Sequence, residues 1–175
     1  NMTLGAIEDE SLVYKVGERI GKHANRLGVH INFAPVVDIN TNPDNPIIGS
    51  RSFGEDKFNV TEKALAYLKG MQSTNLMGSA KHFPGHGDTQ TDSHYTLPLI
   101  SFDKERIYDV ELYPYKKLIE NNLSSIMTAH INVPSLQKGN LPSTLSNNII
   151  NNILKNELSF NGLIVTDALD MKGVA

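Results

Sequence analysis

Cysteine is absent from the sequence, which excludes disulfides and thiolate metal ligands but leaves reducing and oxidising compartments equally open. Cytoplasm, periplasm and exterior are all compatible with it. Long hydrophobic runs are missing too. The longest are five or six residues, far short of the roughly 20 that cross a bilayer. No secretory leader pattern heads the chain, because Asn1-Met2-Thr3 runs straight into a helix-like segment; in a segment of a longer protein that says nothing about secretion. There is no block of one charge sign: 16 basic and 19 acidic residues leave a net charge of −3. A nucleic-acid binder would carry a basic stripe, and none is visible. What remains is a 175-residue globular chain long enough for one sizeable core.

Hydrophobic periodicity divides the chain into repeated helix-then-strand units. Residues 9–27 place Leu12, Val16, Ile20, Ala24 and Leu27 at helical spacing, and Gly28 supplies the stop. The β-branched run 31–37, ending at Asp38, reads as a buried strand. Helices over about 59–73, 103–121 and 145–157 then precede strands over about 76–82, 124–130 and 162–167. Strands alternating with helices predict a parallel α/β sheet. Asp38, Lys81, His82, His130 and Asp167 each fall at a strand's C-terminal end, and the long loops 39–57, 83–101 and 131–145 all follow strands. A (β/α)8 barrel builds its active site from those positions. A doubly wound sheet uses the same end of its strands, so this placement locates a site without choosing between the two.

The segment KHFPGHGDTQTDSHYTLP, residues 81–98, holds three of the six histidines. Gly, Pro, Asp, Ser and Thr are ordinary loop residues, but turn chemistry has no use for imidazole. One reading is a zinc site from His82, His86 and His94 with Asp88 or Asp92, although the spacing matches no standard zinc pattern. The other is a dyad in Asp92-Ser93-His94, where the carboxylate orients an imidazole that exchanges a proton with substrate.

The whole string resembles, position for position, the signature loop of the β-N-acetylglucosaminidase branch of glycoside hydrolase family 3. The resemblance implies that His94 is the acid/base, Asp92 its partner, and Lys81 and His82 ligands of sugar hydroxyls. NFAPVVDIN (32–40) is similar to the family strand that ends in Asp38 at the floor of the site, where a structural carboxylate is an equal alternative. IIGSRSFGED (47–56) is similar to the family loop whose arginine, here Arg51, grips the sugar. VTDALDMKG (165–173) resembles the nucleophile strand and makes Asp167 the nucleophile, with Asp170 a local competitor. TAHINVP carries His130, a family histidine grouped with the substrate-binding residues but expected to lie behind the catalytic pair. The family implies a (β/α)8 TIM barrel, an oligosaccharide substrate such as peptidoglycan or chitin fragments, and neither metal nor cofactor.

Three alternatives belong beside this reading. A phosphorylase or β-glucosidase of the same family would use the same groups, and a zinc-dependent hydrolase would need the loop histidines on metal. An inactive carbohydrate-binding module would lack His94 or Asp167, yet both are present. One departure matters. The family's opening strands, with their D-[QH]-E-G-G-R segment, have no counterpart here, and four strands cannot close an eight-stranded barrel. The chain is therefore expected to be part of a longer protein with further domains. The 175 residues alone should be inactive and poorly soluble, because half a barrel exposes strand edges. Cooperative thermal unfolding of this isolated segment, accompanied by sugar hydrolysis, would overturn that expectation.

Overall fold

The computed structural model describes residues 1–89, 91 and 95–174. Asp92, Ser93 and His94 lie outside the described residues, so the proposed acid/base pair has no geometry here. A short helix α1 (Met2–Gly5) leads to α2 (Glu10–Arg26), β1 (Ile31–Asn32), α3 (Lys57–Gln72) and β2 (Met77–Phe83). A helical stretch follows with α4 (Lys104–Arg106), a π-wound turn Ile107–Glu111 and α5 (Tyr113–Glu120). The remaining elements are β3 (Ser125–Thr128), a 3-10 turn Ser143–Leu145, a π-wound helix Asn148–Glu157 and β4 (Leu163–Thr166). No helix among the described residues is long and apolar enough to cross a membrane.

All four strands are parallel, in the order β1-β2-β3-β4. Consecutive parallel neighbours separated by helices are the arrangement expected of a barrel-type α/β fold. The first strand is shorter than its apolar run suggests. Pro35 has no N–H to donate, and the ladder breaks around it. Pairing survives through the carbonyls of Ala34 and Pro35, which accept from Ser79 and Lys81 N–H, and through Val37 N–H to the Lys81 carbonyl at 2.8 Å.

Two helices depart from simple α geometry. Pro114 cannot donate and crowds the carbonyl four residues earlier, so the expected helix 103–121 widens to π winding just before it. The last helix turns its apolar residues Ile149, Ile153, Leu154 and Leu158 four and five positions apart. The i→i+5 pattern of a π helix stacks that spacing on one face, with Ile149, Ile153 and Leu154 buried.

The expected face of α2 holds at its centre, where Val16, Ile20 and Ala24 pack half-buried against the core, but not at its ends. Leu12 is 45% exposed and Leu27 80%, while Val13, Gly17 and Gly21 are buried. Glycine makes the closest contact. A Cβ on Gly17 would lie 2.2 Å from the Tyr67 carbonyl oxygen, and one on Gly70 would lie 2.1 Å from that of Tyr14. The helices α2 and α3 meet backbone to backbone across these residues, so contact is made where no side chain exists. Around this seam Val60, Ala64, Leu68 and Met71 of α3 pack with Val13, Ala80 and Ile126 into one continuous core.

Gly17→Ala should therefore destabilise, although alanine in an unconstrained helix gains about 1 kcal/mol over glycine. Forcing the two backbones apart should cost about 1–3 kcal/mol. The loss is read as a lower urea midpoint at unchanged slope, and a midpoint at or above the parent's would show that the seam tolerates a methyl.

Candidate active site

The site grows from Asp38, which follows β1 and is 1% exposed. Its carboxylate accepts His86 N–H at 2.7 Å and His82 N–H at 3.1 Å, and its Oδ2 lies 2.7 Å from His82 Nδ1. Burial alone would raise this carboxyl. The His82 ring, followed by His86, outweighs that effect and holds it below the ordinary aspartate range. Asp38 thus clamps the start of the 83–101 loop to the end of the first strand.

The clamp propagates outward. With Nδ1 facing a carboxylate, His82 presents Nε2 to Arg51 Nη2 at 3.3 Å. Arg51 can only donate, so the contact fits a ring hydrogen on Nδ1 and a lone pair on Nε2. Arg51 also donates from Nη1 to the Ile47 carbonyl at 3.3 Å. Lys81 and His82 are adjacent in sequence, and a regular strand would point them to opposite faces. Pairing between β2 and β3 slips between Ala80 and Phe83, and both side chains line one cavity.

That cavity, of about 220 Å³, is lined by Ile47, Arg51, Lys81, His82, His86, Asp167 and Met171. Asp167 stands at the end of β4, where its N–H donates to the Thr128 carbonyl at 3.0 Å and its Oδ1 accepts Ala168 N–H at 2.9 Å. Burial lowers the Lys81 ammonium from its usual value and Arg51 adds to the effect, while Asp167 and Asp38 oppose it. The His86 imidazole is also lowered by burial, against the pull of Asp38.

Two expected ligand-binding residues do not line the cavity. The carboxylate of Asp38 faces inward to the two histidines. His130 is buried, with Nδ1 3.0 Å from Thr144 Oγ1 and Nε2 3.0 Å from the Ala168 carbonyl. It fastens the residue after Asp167 from behind. Asp170 is exposed in the turn beyond β4, away from the cavity lining. Among the described residues no three His, Asp or Glu side chains group as a metal site. Asp88, weighed above as a ligand, instead accepts from Thr41 Oγ1 at 2.8 Å.

The loop holds its shape through glycine. Gly85 has φ +135°, and a Cβ there would meet Glu111 Cβ at 2.8 Å. A Cβ on Gly87 would lie 1.9 Å from the Ile39 carbonyl oxygen. Gly87 thus lets the loop lie directly on the chain following β1, and Gly85 lets it lie on the π-wound turn Ile107–Glu111. Sequence reading placed His86 only among zinc candidates, and Ile47 and Met171 not at all. The signal for His86 was a third imidazole in a loop that needs none.

Four parallel strands with their polar residues gathered at the C-terminal ends define a barrel-type α/β fold with its site on the expected face. The chain belongs to glycosyl hydrolase family 3, whose N-terminal domain matches residues 1–175. It is 40% identical, over its full length, to the β-hexosaminidase A of Pseudoalteromonas piscicida, covering 32% of that protein. Among solved structures, a family 3 β-N-acetylglucosaminidase from a Paenibacillus species superposes with a TM-score of 0.98 at 41% identity, over 99% of this chain and 33% of that one. A β-glucoside phosphorylase matches with a TM-score of 0.95 at 32% identity, again over 99% of this chain and 33% of the other. The chain thus spans about a third of the length of these relatives.

Asp38→Asn should cost about 3 kcal/mol, because it leaves buried donors without their charged acceptor. The pH signature follows from the sign of the shift. A carboxyl held below its unfolded value adds stability above that value, and the contribution is lost as pH falls through the lower folded value. Stability of the parent should therefore decline below the ordinary aspartate value of 3.8 more steeply than that of Asp38→Asn. Parallel acid denaturation curves for the two proteins would refute the clamp.

Proposed function

We propose that these residues supply the catalytic groups of a retaining β-N-acetylhexosaminidase that removes terminal β-linked N-acetylglucosamine from glycans such as peptidoglycan or chitin fragments. The observation that carries the reading is the convergence of Asp167, Arg51, Lys81 and His82 on one cavity at the strand ends. The relatives' names support the substrate class.

In this mechanism an Asp167 carboxylate oxygen attacks the anomeric carbon as the bond to the leaving oxygen breaks. His94, oriented by Asp92, gives its proton to that oxygen. His94 then takes a proton from the water that attacks the glycosyl-enzyme, and Asp167 departs as a carboxylate. Arg51 and Lys81 donate to sugar oxygens, with Arg51 held in place by His82. Asp38 orients His82, and His130 steadies the backbone beside the nucleophile. No step needs a metal or a cofactor.

A second reading has its own support. Among the described residues the cavity carries two cationic side chains beside a single carboxylate, and one structural neighbour is a phosphorylase. Inorganic phosphate could replace water as the acceptor. Hydrolysis of 4-nitrophenyl N-acetyl-β-glucosaminide by the full-length protein, with and without phosphate, separates the two by whether the product is the free sugar or its 1-phosphate.

Asp167→Ala should abolish turnover at every pH, since no covalent intermediate can form. His94→Ala should lose about 10²–10⁴-fold on a poor leaving group and much less on a dinitrophenyl glycoside, which departs unaided. Asp92→Asn should keep more activity than His94→Ala. An equal loss by His94→Ala on both substrates in kcat/KM would remove His94 from the acid role.

A further inference from the structure

His86 is a group the mechanism above does not use. It is 3% exposed, it lines the cavity beside Asp167 and Lys81, and its Nε2 is buried with no hydrogen-bond partner. Buried polar atoms of side chains are nearly always paired, so an orphan on the wall of an active-site cavity points to a partner supplied by the ligand. The rest of the residue is fixed. Its N–H is held by Asp38 at 2.7 Å, and its Nδ1 lies 2.6 Å from Thr89 Oγ1. The ring cannot turn away to find another partner without breaking the Thr89 contact.

The same contacts place the ring hydrogen. Thr89 has one hydroxyl hydrogen and two acceptors within reach, His86 Nδ1 at 2.6 Å and the His86 carbonyl at 3.1 Å. That carbonyl already accepts from Asn45 Nδ2 at 2.9 Å. With the hydroxyl hydrogen on the shorter contact, Nδ1 accepts and Nε2 carries the N–H. Nε2 thus adds a third donor to those of Arg51 and Lys81 in a cavity whose one carboxylate, among the described residues, is Asp167.

We propose that His86 Nε2–H donates a hydrogen bond to a hydroxyl oxygen of the sugar seated over Asp167, making His86 a specificity-determining residue of this site. The inference rests on the glycosidase reading above. It differs from Arg51 and Lys81 in chemistry. A neutral N–H on a fixed ring offers one directed donor, where a guanidinium or an ammonium offers several. Leaving such a donor unpaired is costly, so an analogue lacking that oxygen should bind poorly.

The test uses the full-length protein and calorimetric binding of N-acetylglucosamine and its 3-, 4- and 6-deoxy analogues. His86→Phe should weaken the parent sugar about tenfold. His86→Gln, whose amide nitrogen reaches about as far as Nε2, should recover most of that. One deoxy analogue should lose affinity in the wild type yet lose nothing further in His86→Phe, which identifies the contacted oxygen. Identical deoxy penalties in both proteins would overturn the proposal, whatever the variant does to stability. Should His86→Phe fail to fold, the wild-type Nε2 nitrogen resonance decides: a shift on saturation with sugar supports the contact, and no shift overturns it. A wild-type protein that neither binds N-acetylglucosamine nor cleaves its glycosides would instead refute the function, and that outcome is visible before any variant is made.

Discussion

The Asp38 carboxylate is the constraint on which the site depends. It is buried, and its two oxygens satisfy three N–H groups belonging to His82 and His86. A charge at that depth is tolerable only when fully paired, so the two histidines cannot drift without exposing a large electrostatic cost. Through His82 the constraint reaches Arg51, and through the His86 backbone it reaches the loop that carries the rest of the motif. One carboxylate therefore fixes groups from three separate stretches of chain around a single cavity.

A second support comes from the other side. His130 and Thr144 hold the chain behind Asp167 through the Ala168 carbonyl. Neither Asp38 nor His130 lines the cavity, yet each controls the position of a residue that does. The two act at opposite edges of the sheet's C-terminal end, one on the β1–β2 side and one on the β3–β4 side. The separation of roles explains how a short four-stranded sheet can present convergent side chains from loops that differ widely in length.

The sequence made the strand ends legible because the apolar β-branched run 31–37 stops at Asp38, and the later strand-like segments likewise end in His82, His130 and Asp167. It misled where packing relies on missing atoms. Leu12 and Leu27 look like part of the buried face of α2 but are exposed, and the closest contact runs beside Val16 and Ile20 through Gly17 and Gly21, which periodicity counts as gaps. Lys81 and His82 defy the two-residue period of a strand, since a slip in pairing is a property of the neighbouring strand rather than of the residues themselves. His86 was ambiguous for a similar reason. A histidine's role follows from which ring nitrogen is occupied, and the Thr89 contact that bears on it exists only in three dimensions.

The charge balance of the cavity bears on its chemistry. A nucleophilic carboxylate must be ionised yet not so strongly paired that it loses nucleophilicity. Asp167 faces Arg51 and Lys81, but Arg51 is already engaged by His82 and the Ile47 carbonyl. Lys81 has its ammonium weakened by burial and by Arg51 itself. Part of the Arg51 donor capacity is thus committed to His82 and the Ile47 carbonyl, which keeps the guanidinium from closing wholly on Asp167. Among the described residues the cavity lining holds more cations than carboxylates, a balance compatible with the neutral and the anionic acceptor proposed above. Relatives that include both hexosaminidases and a phosphorylase are compatible with one such constellation.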